Sequence, residues 1–191
     1  MKSERRAMKL DKADLKWILA PLSGLLYGLS ANLLLTVLKL SPTAGINLDP
    51  EAAVFFLANP VMLLILEVII SPVVEEILFR KLFYGRLKRR IRPVFAALLS
   101  SAVFALLHMS PVHLVYTFLF GLLLCGIYDR TDHVLPCIFA HFAANLLAVL
   151  VDAEKPLNLF LQRNLIWAAP LAMVLFLICI YFLFRKEKER A

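Results

Sequence analysis

The sequence predicts an all-α integral membrane protein, a polytopic bundle of about six transmembrane helices. Hydrophobic residues make up 61% of the 191-residue chain, and the mean hydropathy of +0.80 is too high for a soluble domain with a polar surface. Apolar segments of about 20 residues, the length needed to cross a bilayer as a helix, recur along the chain. We expect one membrane-embedded domain over residues 15–184, between basic tails at 1–14 and 185–191.

Each predicted span is an apolar stretch bounded by charged residues or by proline. The second span contains Pro60 and Pro72, where we expect bends, and the third span is short. The spans are, in chain order, Trp17–Leu38, Ala52–Tyr84, Val94–Leu107, Val112–Tyr128, Val134–Val151 and Leu165–Phe184.

The basic residues test this arrangement, because six spans place both termini on one side of the membrane. Seventeen of the 21 Lys and Arg residues then share that side, in residues 1–16 and 185–190, in segment 81–92 and at Arg130. The excess predicts that both termini are cytoplasmic. Because the basic residues cluster at the chain ends and in one short segment, they indicate contact with the lipid bilayer and no nucleic-acid partner.

The chain has none of the common motifs of soluble hydrolases, and the spacing of its cysteines does not indicate a metal site or a disulfide framework. Cys125, Cys137 and Cys179 lie within apolar runs and lack the spacing of a metal site or a disulfide framework. No HExxH, GxSxG or Walker-type loop occurs. The chemistry must therefore come from polar residues within the predicted spans.

The most informative polar residues are Glu75 and Glu76, two adjacent carboxylates in the apolar second span. An acidic charge at the centre of a membrane helix costs about 2.5–3.5 kcal/mol on the translocon scale, so fold stability gives little reason for two. Glu76 and Arg80 are four residues apart and can form an ion pair. Glu75 lies about 140° around the helix from Arg80, so we expect it to lack an ion-pair partner and to serve as a general base. Alternatively, both acids pair with basic side chains elsewhere in the bundle.

His108 is predicted to lie at the same height as the two glutamates. Spans two and three should form a hairpin that turns near Pro93, and similar numbers of residues separate that turn from Glu75 and from His108. Phe104 lies one turn before His108 and is expected to pack against its ring. The alternative is a purely structural histidine.

His141 and Asn145 lie four residues apart on one face of the fifth span. Their distance from the preceding turn places them at a depth similar to that of Glu75. The alternative is an interhelical hydrogen-bonding pair that holds the bundle together. His113 and His133 are weaker candidates near helix ends, and Glu67 can line the same cavity without a catalytic role.

These residues form three motifs in a fixed order, and together they resemble the CPBP family of membrane proteases. That family includes the CAAX prenyl endopeptidases and the bacterial Abi proteins linked to bacteriocin immunity. Its pattern is EExxxR, then FxxxH, then HxxxN. The chain has Glu75-Glu76 with Arg80, then Phe104 with His108, then His141 with Asn145, all within about residues 52–151.

The resemblance implies a role for each matched residue. Glu75 and His108 would activate a water molecule for attack on a scissile carbonyl, and His141 with Asn145 would stabilise the oxyanion. Glu76 and Arg80 would support the site. A zinc ion held by Glu75, His108 and His141 is the alternative, but Asn145 fits an oxyanion donor better than a zinc ligand, so we favour a mechanism without a cofactor.

The expected substrate is a membrane-associated protein or peptide, in a prokaryotic cell membrane. The chain is shorter than the larger family members, so the resemblance does not extend to recognition of a prenyl group, and the oligomeric state is not predicted. Two other functions stay open: a non-proteolytic partner or immunity protein that binds a sensor kinase or a peptide, and an ion-coupled transporter that uses Glu67 and Glu75. No inverted repeat supports the transporter.

Overall fold

The computed structural model describes residues 12–38, 59–108 and 111–185, and within these ranges it contains seven helices and no strand. The predicted all-α membrane bundle is confirmed. The second helix, α2, is built from five consecutive pieces: Pro60–Leu64, Ile65–Ile70, Ser71–Glu76, Ile77–Tyr84 and Gly85–Leu87. The other helices are α1 Lys12–Val37, α3 Pro93–Leu106, α4 Pro111–Thr131, α5 Val134–Ala153, α6 Lys155–Arg163 and α7 Leu165–Phe184.

Four of these helices are long and apolar enough to cross a membrane. They are α1, α4, α5 and α7, over Leu15–Val37, Leu114–Thr131, Val134–Val151 and Leu165–Phe184. Helix α3 is the short span that the sequence predicts, and α2 is divided by changes in winding. The predicted start of the second span at Ala52 lies outside the described residues. Helix α6 was not predicted, because its mixed polar and apolar residues do not form an apolar span.

Helix α2 alternates between α-helical and π-helical winding. The pieces Ile65–Ile70 and Ile77–Tyr84 are π-helical, and the piece between them carries both glutamates. The sequence predicts bends at Pro60 and Pro72. In the structure, the helix begins at Pro60, and Pro72 follows directly after the first π-helical piece and Ser71. Proline clashes with the carbonyl four residues earlier in a regular α-helix, and the wider π-helical turn accommodates this ring.

Helices α1 and α5 approach each other closely along small residues. A Cβ atom added to Gly24 would lie 1.9 Å from the carbonyl oxygen of Ala140, and one added to Gly28 would lie 3.3 Å from Ala144. Small residues four positions apart allow two helix backbones to pack together in a membrane. Because His141 directly follows Ala140, this contact also fixes the position of His141.

One end of the bundle brings together the start of α1, the α4–α5 turn and the end of α7. The rings of Trp17 and His133 lie 5.7 Å apart, and Arg130 donates a hydrogen bond to the carbonyl of Phe184. The first and last described helices therefore have their outer ends at the same end of the bundle.

The packing of α1 on α5 predicts different effects for two similar substitutions. Gly24→Ala places a methyl group inside the backbone of α5, and we expect it to destabilise the fold by about 1–3 kcal/mol or more through overpacking. Gly28→Ala needs a shift of only a few tenths of an ångström and should cost clearly less. Thermal unfolding of both variants in the same detergent measures the difference. Equal midpoints for the two variants would contradict this packing.

Candidate active site

The site is built around an ion pair buried inside the bundle. The Nε atom of Arg80 lies 3.0 Å from Oε2 of Glu76, and both side chains are fully buried. The guanidinium carbon of Arg80 lies 4.5 Å from the ring centroid of Phe104. The predicted pairing of Glu76 with Arg80 is thus present. Removing one partner of such a buried pair typically costs about 3–5 kcal/mol, because the other charge is left uncompensated.

The second oxygen of Glu76 binds a different helix. The Nδ1 atom of His141 on α5 donates a hydrogen bond to Oε1 of Glu76 at 2.9 Å, and His141 is also buried. This bond leaves the Nε2 atom of His141 facing Oε2 of Glu75 at 3.8 Å. Glu76 therefore orients the imidazole that lies beside Glu75, a role the sequence analysis did not assign to it.

Glu75 does not share Arg80, in agreement with the helical geometry, but it does have a hydrogen-bonding partner. The hydroxyl of Ser71, one turn earlier on α2, donates a hydrogen bond to Oε1 of Glu75. Its Oε2 atom is buried and has no hydrogen bond within the described part of the chain. Ser71 is thus a site residue that the sequence analysis missed, although its i,i+4 spacing to Glu75 carried the signal.

His108 lies in the turn that follows α3, and its ring contacts that of Phe104, which also contacts His141. Its Nδ1 atom donates a hydrogen bond to the carbonyl of Phe104 at 3.0 Å. The Phe104 ring centroid lies 5.0 Å from that of His108 and 6.0 Å from that of His141. The predicted packing of Phe104 on His108 is present. Among the described residues, His108 makes no ion-pair contact with Glu75.

Asn145 binds the backbone of α2. Its side-chain amide donates a hydrogen bond to the carbonyl of Glu67 at 2.9 Å. In the π-helical piece that contains Glu67, each N–H reaches the carbonyl five residues earlier, as Ser71 does with Leu66. The next residue, Pro72, has no N–H to give to Glu67. The amide of Asn145 takes the place of that missing helical donor.

Comparison with known proteins gives two matches. A family model described as type II CAAX prenyl endopeptidase Rce1-like matches residues 57–147, which include all three motifs. This match and the similarity to a curated relative support the resemblance to the CPBP family. It is 32% identical over 103 residues to YdiL of Bacillus subtilis (strain 168), a protein provisionally named a membrane peptidase. That match covers 54% of this chain, which spans only 42% of the length of YdiL, and no solved structure gives a significant match.

The other polar candidates lie apart from the site or outside the described side chains. His133 contacts Trp17 at the end of the bundle, far along α5 from His141. The side chain of His113 is not among those described. Glu67 contributes its backbone carbonyl, as the acceptor for Asn145.

The alternative zinc site is not assembled in the described ranges. No three His, Cys, Asp or Glu side chains converge there as a metal site would require, so Glu75, His108 and His141 do not form a ligand set. Glu75 and His141 face each other, but two donors are fewer than the three protein ligands that catalytic zinc usually has.

The hydrogen bond from Asn145 to the Glu67 carbonyl predicts that substitutions at Asn145 and Pro72 have non-additive effects on the free energy of unfolding. Asn145→Ala removes the donor from the Glu67 carbonyl and should destabilise the protein by about 1–3 kcal/mol, the usual cost of losing a buried hydrogen bond. In a Pro72→Ala background the same change should cost less, because the alanine introduced there supplies the helical N–H. Unfolding free energies of the two single variants and the double variant in detergent give the coupling.

A matched cycle provides the control. Pro170 lies inside α7 and does not contact Asn145 through any described hydrogen bond, so Pro170→Ala and Asn145→Ala should be additive. The explanation fails if Asn145→Ala has the same effect with and without Pro72.

Proposed function

We propose that this protein is an intramembrane endopeptidase of the CPBP type that hydrolyses a peptide bond of a membrane-associated protein or peptide. The observation that carries the proposal is the pairing of Glu75 with His141. A carboxylate oxygen without a hydrogen bond among the described residues faces an imidazole nitrogen at 3.8 Å, while Glu76 holds the other nitrogen of the same ring. A base and an oriented imidazole inside an apolar bundle suit hydrolysis by activated water.

In the proposed mechanism, Glu75 accepts a proton from water as the water oxygen bonds to the scissile carbonyl carbon. The distance of 3.8 Å between Glu75 and His141 is too long for a direct hydrogen bond, and a water molecule beside the two atoms, about 2.8 Å from each, can bond to both. We propose Nε2 of His108 as a second acceptor for that water on the ground of the matched motif and of the Nδ1 bond to the Phe104 carbonyl, since no described contact joins His108 to Glu75. Glu75 then returns the proton to the leaving nitrogen as the peptide C–N bond breaks.

The negative oxygen of the tetrahedral intermediate needs hydrogen-bond donors. His141 can supply Nε2–H in its doubly protonated form, in which Glu76 accepts the hydrogen bond from Nδ1. The second N–H of Asn145 is the other proposed donor, since one N–H already binds Glu67. Preorganised donors of this kind can contribute several kcal/mol to catalysis. Ser71 would hold the Glu75 carboxylate in place.

Substitution of the catalytic groups provides the main test. We expect Glu75→Gln and His108→Ala each to lower cleavage by about 10²–10⁴-fold, the usual contribution of a general base, while the protein still inserts and folds. Mass spectrometry of membrane peptides from cells that carry the wild-type or Glu75→Gln protein identifies the substrates. The purified variants are then assayed on a substrate so identified.

Two matched variants serve as controls for this experiment. Glu67→Gln changes another acid of α2 whose side chain the mechanism does not use, and His133→Ala removes an imidazole far from the site; both should retain cleavage. Normal processing by Glu75→Gln and His108→Ala would instead support a non-proteolytic binding protein. Exhaustive chelation should leave the activity unchanged, whereas activity lost to a chelator and restored by zinc would require a metal.

We also propose that the protein lies in a prokaryotic cell membrane with both termini in the cytoplasm. The contacts of Trp17 with His133 and of Arg130 with Phe184 hold the ends of α1 and α7 at the α4–α5 turn. Basic residues are retained on the cytoplasmic side during insertion, and the tails next to these ends are rich in Lys and Arg.

Topology reporters test this orientation. A fluorescent protein fused after Ala191 should be active, because it stays in the cytoplasm, and a periplasmic phosphatase fused there should be inactive. Fusion of the same reporters within α6, near Lys155, should give the opposite pattern. Phosphatase activity at the C-terminus would reverse the assignment.

A further inference from the structure

We propose that the cytoplasmic end of α2 carries a binding site for an anionic phospholipid. A surface pocket of about 340 Å³ lies there, and the mechanism makes no use of it. Its walls combine four apolar side chains with two guanidinium groups. The lining residues are Leu78, Leu82, Phe83, Arg86, Leu87 and Arg90.

The arrangement of these residues matches the two parts of a phospholipid. Leu78 and Phe83 are well exposed, at 48% and 38%, so they offer an apolar surface that an acyl chain can cover. Arg86 and Arg90 follow further along α2 and the adjoining turn, toward the end where the basic segment lies. An amphiphile with its chains on the leucines would thus place its headgroup between the arginines.

The charges of the pocket favour an anionic headgroup. Two like charges four residues apart repel each other unless an anion neutralises them. Neither Arg86 nor Arg90 forms an ion pair within the described residues, whereas the nearby Lys88 is paired with Asp129 at 2.8 Å. Guanidinium groups bind phosphate oxygens well, and basic clusters beside cytoplasmic membrane ends recognise anionic lipids. A zwitterionic lipid would bring its own cation into the same pocket.

The test measures lipid binding to the full chain purified in a non-ionic detergent. Native mass spectrometry after titration with phosphatidylglycerol should show a saturable one-lipid complex, and phosphatidylcholine should bind at least tenfold more weakly. Replacing both guanidinium groups, in Arg86→Gln/Arg90→Gln, should weaken phosphatidylglycerol binding at least tenfold. Binding should also weaken as the salt concentration rises.

The control variant removes the same charge from outside the pocket. Lys81→Gln/Arg92→Gln changes two exposed residues of the same basic segment, and it should shift the phosphatidylglycerol affinity by less than threefold. Equal losses of phosphatidylglycerol affinity in the two double variants would overturn the proposal, because binding would then depend only on the net charge of the protein. Equal binding of the two lipids would overturn it as well.

Two competitors establish which ligand the pocket takes. Inorganic phosphate and glycerophosphate lack acyl chains, and neither should displace phosphatidylglycerol at a hundredfold excess if the apolar wall contributes. If either competitor displaced phosphatidylglycerol, the proposed lipid site would be wrong, and the pocket would bind phosphate alone. Displacement by an equimolar acidic peptide would assign the pocket to a peptide instead. Neither outcome depends on whether the protein is a peptidase.

Discussion

The carboxylate of Glu76 is the group on which the rest of the site depends. It has no solvent exposure, and its two oxygens bind different helices: Oε2 pairs with Arg80 of α2 at 3.0 Å, and Oε1 accepts the N–H of His141 of α5 at 2.9 Å. A buried charge is stable only when it is paired and hydrogen bonded. The position of α5 relative to α2, and with it the orientation of His141 toward Glu75, is therefore coupled to this carboxylate.

Packing on the other faces of these helices limits how they can move. Helix α5 is held against α1 at Gly24, where no side chain larger than hydrogen fits. Helix α3 contributes Phe104, whose ring contacts the Arg80 guanidinium and the rings of both imidazoles. Close packing of this kind leaves few alternative arrangements for the side chains in between. The two imidazoles and the two carboxylates are thus held by three neighbouring helices.

The sequence predicts the contacts that lie within one helix better than those between helices. The Glu76–Arg80 pair and the packing of Phe104 on His108 both follow from i,i+4 spacing, which holds in any helix. The bond between Glu76 and His141 joins residues 65 positions apart and depends on how α2 and α5 are rotated. The sequence pattern alone does not contain that rotation. The sequence does not single out Ser71, because serine serves helix packing in many membrane proteins. The winding of α2 is not predicted either, because proline leads one to expect a bend or an end of a helix and not a π-helical turn before it.

Stability alone does not explain why two glutamates and an arginine lie inside this bundle. Replacing a buried ion pair by apolar side chains of similar size is often neutral or stabilising, so selection for the fold would favour removing these charges. The partners of the two acids differ in a way that suits chemistry. Glu76 forms an ion pair with Arg80 at 3.0 Å and accepts a hydrogen bond from His141, whereas Oε2 of Glu75 is buried 3.8 Å from the oriented imidazole. Glu76 and Arg80 thus serve to hold the ring of His141 beside Glu75, and this division of roles is the strongest physical argument for the proposed catalysis at Glu75.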